Sequence, residues 1–398
     1  MTSLSLRHKN LIRSLLLVLL SLTALPFRAA HADMKVPATL QSERPVVEAM
    51  FVLDTTGSMG GLIAAAKEKI WSIANTLASA DPAPEIRMGL VGYRDRGDAY
   101  VTSFTPLSDD LDAVYTRLMD FQADGGGDTP ESVNQALHEA LTKTDWSNDP
   151  KAYRVIFLVG DAPPHMNYAR DVPYLKSCGL ARERGIIINT IQCGNLAETT
   201  PIWQAIARQA EGQFFGVAQT GSAVLYETPF DHDIADLSKA LDKTRIFYGD
   251  AQQIEKMEAR AKRSDTIYEA AATSAVARRT IFNSRKAGAT NFLGTQELIH
   301  DVATGHVNLE HLDKEQLPAE LKDLDASQLK ARIAAQTERR KTIQAKIDNL
   351  AHLRQAYIEK KVRQQKDKGA GSLDVQIYKC IQTQAAAKQI QYTDGPAY

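Results

Sequence analysis

The sequence is poor in cysteine, with three in 398 residues: Cys178, Cys193 and Cys380. An odd, low count excludes a disulfide framework. One bridge stays open in an oxidising compartment, with free buried thiols the expected state. Cys178 falls mid-helix and Cys193 at the far end of the next strand, so those two are not expected to pair, whereas Cys193–Cys380 is left open. No Asn-X-Ser/Thr acceptor occurs, consistent with a bacterial exported protein. Charge of one sign is also missing. The net charge is -1, which gives no footprint for a nucleic acid or polyanion partner. After the first 25 residues there is no apolar run long enough to span a bilayer. Proline is absent between Pro229 and Pro318, where Ala, Lys, Arg, Asp and Glu dominate. What remains is ordinary for a soluble chain: 44% hydrophobic and 24% charged residues, with length enough for two domains.

The start reads as an export signal. Arg7, His8, Lys9 and Arg13 precede an apolar core from Leu15 to Leu25, and Ala30-His31-Ala32 supplies a cleavage pattern. The expected boundaries are a signal peptide over 1–32, with the mature chain starting near Asp33, and a linker over 33–45. That core is short for a membrane span, and no cysteine at the cleavage point suggests a lipid anchor. The expected location is outside the cytoplasm, in a bacterial periplasm or secreted.

From residue 46 strands alternate with helices. Val46 to Asp54, Ile86 to Tyr93, Tyr153 to Gly160, Gly185 to Cys193 and Gln213 to Val217 read as strands, most of them apolar throughout and so buried on both faces. Tyr100 to Thr105 reads as a hairpin return. Helices are expected over 60–80, 109–121, 131–143 with Pro130 at the first position, 172–184 and 200–211. The alternation predicts an α/β fold: a doubly wound, mostly parallel sheet with helices on both faces, over residues 46–220. A mainly helical region follows over 221–372, with helices over 230–247 and 251–282. Residues 325–365 carry an interrupted heptad-like stripe from Leu329 to Tyr357, which suggests a helical hairpin or short coiled coil. Residues 373–398 read as a short tail. No fixed-period repeat is present.

The parity of these elements brings three polar loops to one edge of the sheet. Asp54, Thr56 and Ser58 form D-x-T-x-S on a tight turn after the first strand. Thr129 ends a Gly-rich loop, Gly125-Gly126-Gly127-Asp128-Thr129. Asp161 follows the strongly apolar strand ending at Gly160. Two acids and three hydroxyls, with no Cys or His set, suit a hard cation: Mg²⁺ first, with Mn²⁺ and Ca²⁺ as alternatives. Two carboxylates only neutralise such an ion, so an acidic group from a partner could complete its shell. Taken singly, each segment could be no more than a helix cap or turn. Asp95, Asp124, Asp128 and His165 fall on the same rim, either shaping a ligand surface or as solvated loop residues. Arg96-Gly97-Asp98 spells a tripeptide that recurs by chance. Asp231-His232-Asp233 could seed another metal site, but reads better as a helix cap.

These motifs resemble the von Willebrand factor type A domain and its metal-ion-dependent adhesion site, over residues 46 to about 220. The wording GYRD, GGDTPE and DAPPH is similar to the branch found beside atypical alpha-kinases, though no kinase motif follows. The resemblance implies that Thr56 and Ser58 contact the metal directly. Thr129 would enter or leave its shell with ligand state, and Asp54 and Asp161 would act largely through water. It also implies a non-enzymatic binding module for a carboxylate-presenting protein, with the helical region docking another protein or self-associating. Ligand engagement would shift the helix near 200–211. A different class stays open: an apolar strand ending in Asp-x-Thr-Gly-Ser is also similar to haloacid-dehalogenase-type phosphatases, with Asp54 as nucleophile. That reading wants a lysine, for which Lys143 and Lys151 are poor candidates, and it leaves GGGDTPE unexplained.

Overall fold

Strand β1 (Val46–Asp54) is apolar on both sides because it lies inside the sheet, parallel to a neighbour on each edge. The computed structural model describes residues 44–218, 226–364 and 373–392. The expected signal segment, and the linker up to residue 43, lie outside the described residues. Among those described, no helix is long and apolar enough to cross a membrane.

From β1 the chain enters α1 (Gly60–Ala78), passes a two-residue strand β2 (Ala80–Asp81) and returns in β3 (Glu85–Tyr93). The expected hairpin return is present as β4 (Thr102–Ser108), antiparallel to β3. Helix α2 (Leu111–Met119) is capped by Asp110, whose side chain accepts from the Ala113 amide. The next helix, α3 (Val133–Thr142), starts two residues later than expected. Glu131 cannot be its first turn, because its amide bonds Pro163 O and its carbonyl accepts from the His165 amide. Then come β5 (Tyr153–Gly160), α4 (Tyr174–Glu183), β6 (Ile186–Cys193), α5 (Thr199–Gln209) and β7 (Phe214–Val217). The strand order is β4-β3-β1-β5-β6-β7, with all but β4 parallel.

Alternation along β1 splits the interior in two. Phe51 and Leu53 pack with Ile63, Trp71, Tyr115 and Leu118 of α1 and α2. Met50 and Val52 pack with Leu137, Trp203 and Ile206 of α3 and α5. All three cysteines are buried and free.

The second half continues through α6 (Asp231–Asp242), α7 (Ala251–Ala270), α8 (Thr273–Ser284), α9 (Ala289–Leu293), α10 (Leu298–Ala303), α11 (Ala319–Lys322) and α12 (Ala326–Gln364). The expected single helix over 251–282 is broken. Ala271 and Ala272 are extended, with ψ 150° and 147°, although neither residue opposes a helix. Packing of α8 with α1 overrides propensity there. The hairpin or coiled coil expected over 325–365 is absent: α12 is one helix of 39 residues. Its stripe is covered by this chain. Ile343 and Ile347 pack with Ile234, Leu241 and Phe292, while Leu329 and Ile333 pack with Leu298, Leu317 and Leu321. The interruptions in the stripe are buried polar residues bonded to the same neighbours. Arg340 donates to both Glu297 oxygens at 2.8 Å, and Arg354 Nε to Asp231 at 2.8 Å. That ion pair is also where Asp231 goes, in place of a metal site.

The expected tail is part of the sheet unit. Helix α13 (Leu373–Ala386) and strand β8 (Gln391–Tyr392) place Ile377, Cys380, Ile381 and Tyr392 in the same core as Phe51 and Trp71. β8 pairs with β2. Asn189 and Gln384 exchange side-chain amide hydrogen bonds at 2.8 and 3.1 Å, and the Tyr153 hydroxyl donates to Gln384. Helix α13 therefore closes the sheet on the face that carries α1. The helical region is inserted between β7 and that closing helix.

Candidate metal centre

Strands β1 and β5 are adjacent, but α1 leaves towards one face and α4 towards the other. Their following loops therefore diverge and open a crevice at the carboxyl edge. A cleft of about 390 Å³ lies there, lined by Thr56, Ser58, Gly126, Thr129, Glu131 and Asp161 among others. The main chain ties its walls together: Gly57 N donates to Gly125 O at 3.2 Å and Asp124 N to Thr55 O at 3.2 Å. Buried Arg94 staples two loops from below, donating to Thr55 O and Gln122 O at 3.1 and 2.8 Å. Gly125 and Gly126 take positive φ, 78° and 81°. That backbone conformation favours glycine, and a Cβ on Gly125 would also crowd the Asp98 carboxylate.

Asp54 lies beneath the cleft, fully buried. Its Oδ1 accepts from the Thr56 amide at 2.9 Å and from Thr56 Oγ1 at 2.6 Å. Its Oδ2 is buried without a hydrogen-bond partner. Thr56 Oγ1 is 3.4 Å from Ser58 Oγ. Thr129 is exposed on the Gly-rich loop and Asp161 is half-buried. Burial pushes the Asp54 carboxyl up to about 7. Hydrogen bonds from Thr56 and from the Asp161 amide oppose this, and the Asp161 charge adds to it. Among the described residues that line the cleft there is no lysine. Lys143 pairs with Glu139 on its own helix.

Sequence reasoning missed Glu131, which reads as an ordinary first-turn acid. It is buried with Oε2 unpartnered. Burial first, then the charges of Asp54, Asp95, Asp98 and Asp161, push its carboxyl up to about 9. The spacing of GGDTPE beside DAPPH was the available signal, since both ends of Glu131's main chain bind that second motif. Tyr93 was missed too. Its hydroxyl lies 2.4 Å from where a Cβ on Gly160 would sit, at the foot of the site, and burial raises its pKa further beside Asp54 and Glu131.

The rim residues divide. Asp124 stays exposed, 3.6 Å from Arg94. Asp95 and His165 are buried, and Asp128 is exposed between them and the cleft. His165 Nε2 is 3.2 Å from Asp95 Oδ2 and 3.7 Å from Asp128 Oδ1. The Arg96-Gly97-Asp98 tripeptide is engaged internally. Arg96 lies over the Tyr168 ring and pairs with Asp171, while Asp98 accepts from the Asp95 and Gly126 amides.

Residues 48–219 match the family model described as von Willebrand factor A domain. The match runs from within β1 to just beyond the end of β7, and identifies that part of the chain as a von Willebrand factor A domain. It is 38% identical over 120 residues to von Willebrand factor A domain-containing protein 7 of Rattus norvegicus, covering 30% of this chain and 12% of that protein. It is 24% identical over 199 residues to a putative ariadne-like RING finger protein of Acanthamoeba polyphaga mimivirus, covering 46% of this chain and 19% of that one. The chain thus spans less than a fifth of either relative's length. Among solved structures, the SpRpn10 VWA domain aligns with TM-score 0.35 and 14% identity, over 45% of this chain and 94% of that one.

Proposed function

We propose that this cleft holds a divalent cation, Mg²⁺ before Mn²⁺ or Ca²⁺, and that the domain binds a partner protein through one of its carboxylates. The observation that carries the reading is the convergence of Asp54, Glu131 and Asp161 beneath two hydroxyl-bearing loops, with buried carboxylate oxygens on Asp54 and Glu131 lacking a hydrogen-bond donor. Buried carboxylates without partners are costly, and a cation relieves that cost. The donors are all oxygen, which suits a hard ion. Thr56, Ser58 and Thr129 would hold it, with Asp54 and Asp161 behind them. Once bound, it supplies an electrophilic position that a carboxylate can complete. Thr56 orients Asp54 through two hydrogen bonds, and exposed Thr129 is free to follow the ligand. Full burial of Asp54 argues against the phosphatase alternative, because a nucleophile must be reached.

We also propose an exported, periplasmic protein, on the strength of the basic start, the Leu15–Leu25 core and Ala30-His31-Ala32. Any docking by the helical region would use what α12 leaves exposed, such as Leu353, since its main stripe is covered. The deciding experiment is Mg²⁺ titration of the full chain by calorimetry and thermal shift. Wild type should bind and gain stability, and Ser58→Ala with Thr129→Val should do neither. Chelator should release a captured partner from wild type, and Asp54→Ala should capture none. A stable phosphoaspartate at Asp54 after incubation with a phosphorylated substrate would overturn the reading.

A further inference from the structure

We propose a second cation site beside the first, built by Asp95, Asp128 and His165 and suited to zinc. The three residues come from three loops: after β3, within the Gly-rich segment and after β5. Their ligand atoms lie within 4.8 Å of one another. A cluster of this kind is common without a metal. What distinguishes this one is the imidazole.

His165 is 6% exposed, and its Nδ1 lies 2.9 Å from the Asn167 side-chain oxygen. With Nδ1 of the neutral ring donating to that oxygen, Nε2 presents a lone pair. That Nε2 is buried without a hydrogen-bond partner. It faces two carboxylate oxygens, 3.2 Å away on Asp95 and 3.7 Å away on Asp128. Three lone-pair donors turned towards one another repel unless positive charge lies between them. Tetrahedral zinc bound at about 2.0–2.1 Å holds its nitrogen and oxygen ligands roughly 3.3–3.4 Å apart, and the two observed separations straddle that value.

The surroundings hold the donors in place. Asp95 Oδ1 accepts from Ser132 Oγ at 2.9 Å, and Oδ2 from the Tyr168 hydroxyl at 2.7 Å. The Tyr168 ring stacks on His165 at 4.1 Å, and Arg96 covers that ring at 3.9 Å. Ligand histidines typically donate their second nitrogen in just this way, which fixes the ring and the tautomer. Asp128 is 63% exposed on its side chain, so it can adjust. One imidazole and two carboxylates favour zinc over Mg²⁺, which prefers all-oxygen octahedral shells. The inference does not depend on the first cleft holding Mg²⁺. The competing account is a protonated imidazole bridging the two acids with no metal.

The test uses the full chain, stripped with chelator and equilibrated with zinc in millimolar Mg²⁺. One zinc per chain should be retained. His165→Gln and Asp128→Asn should each weaken zinc by at least about 10-fold, the smallest loss typical even of changes outside the ligand shell. Asp128→Asn alters an exposed side chain, so it keeps the test valid should His165→Gln fold poorly. Cobalt in place of zinc should give the intense visible bands of a tetrahedral site in wild type and lose them in Asp128→Asn. Ser58→Ala, which disables the first cleft, should still bind zinc. Failure to retain zinc, or equal retention by Asp128→Asn, overturns the second site. So does loss of zinc in Ser58→Ala alone. Loss of the Mg²⁺ response with zinc kept would separate the two sites.

Discussion

Asp54 and Glu131 make the cleft sensitive to pH when no cation is bound. Both carboxyls are pushed up, to about 7 and about 9, from ordinary values near 4. The folded protein then holds protons that the unfolded chain has lost, so stability falls as pH rises from about 4 through those values. A cation reverses the balance, because it favours the charged carboxylates. Thermal melts in chelator should therefore weaken between pH 5 and pH 9, and Mg²⁺ should raise the midpoint more at pH 8 than at pH 5. A flat profile in chelator would contradict the burial argument. Glu131→Gln should flatten the upper part of that profile, with the melting midpoint at pH 8 in chelator above wild type. The D-x-T-x-S residues were legible because their spacing is local. Glu131 and Tyr93 were not, since each looks ordinary in its own stretch and acquires its role from residues far away in sequence.

The helices teach the same lesson one scale up. The strands could be read from Met50-Phe51-Val52-Leu53 and Val155-Ile156-Phe157-Leu158 because a strand covered on both faces is apolar throughout. The stripe on α12 was equally visible, but its interruptions at Gln336, Arg340 and Arg354 suggested a bend. All three are buried, and Arg340 and Arg354 bond Glu297 before α10 and Asp231 of α6, partners which only the fold supplies. A similar contact ties the insertion to the sheet unit. Arg279 of α8 is fully buried and forks onto both oxygens of Asp112 in α2, with Asn291 also bonded to Asp112. Breaking a buried pair leaves an uncompensated charge, so Asp112→Ala should cost about 3–5 kcal/mol by urea denaturation. Asp112→Leu with Arg279→Leu should recover part of that loss. Strictly additive losses would show that the pair does not act as a unit.

For the molecule as a whole, the sequence divides where the structure does not. A composition change after residue 220 suggests a separate half, yet the described residues from Arg44 onward fall in one compact unit. The last described helix returns across more than 150 residues to cover the sheet. No local pattern in Leu373–Ala386 announces that return. Removing residues 373–398 should expose Leu53, Ile70 and Val159, which line a small apolar cavity against Leu373 and Ile377. The truncated chain should bind a hydrophobic dye and lose its cooperative melt, and a peptide covering 373–392 should restore both. A sharp melt without that segment would show that the sheet unit closes by itself.

The pairing of β8 with β2 also sets an order of events during synthesis. Ala80 and Asp81 leave the ribosome some 300 residues before Tyr392 and Gln391, their partners. Until α13 and β8 have been made, the face of the sheet that carries α1 has no closing helix. Folding of the binding domain is thereby made to wait for the region inserted within it.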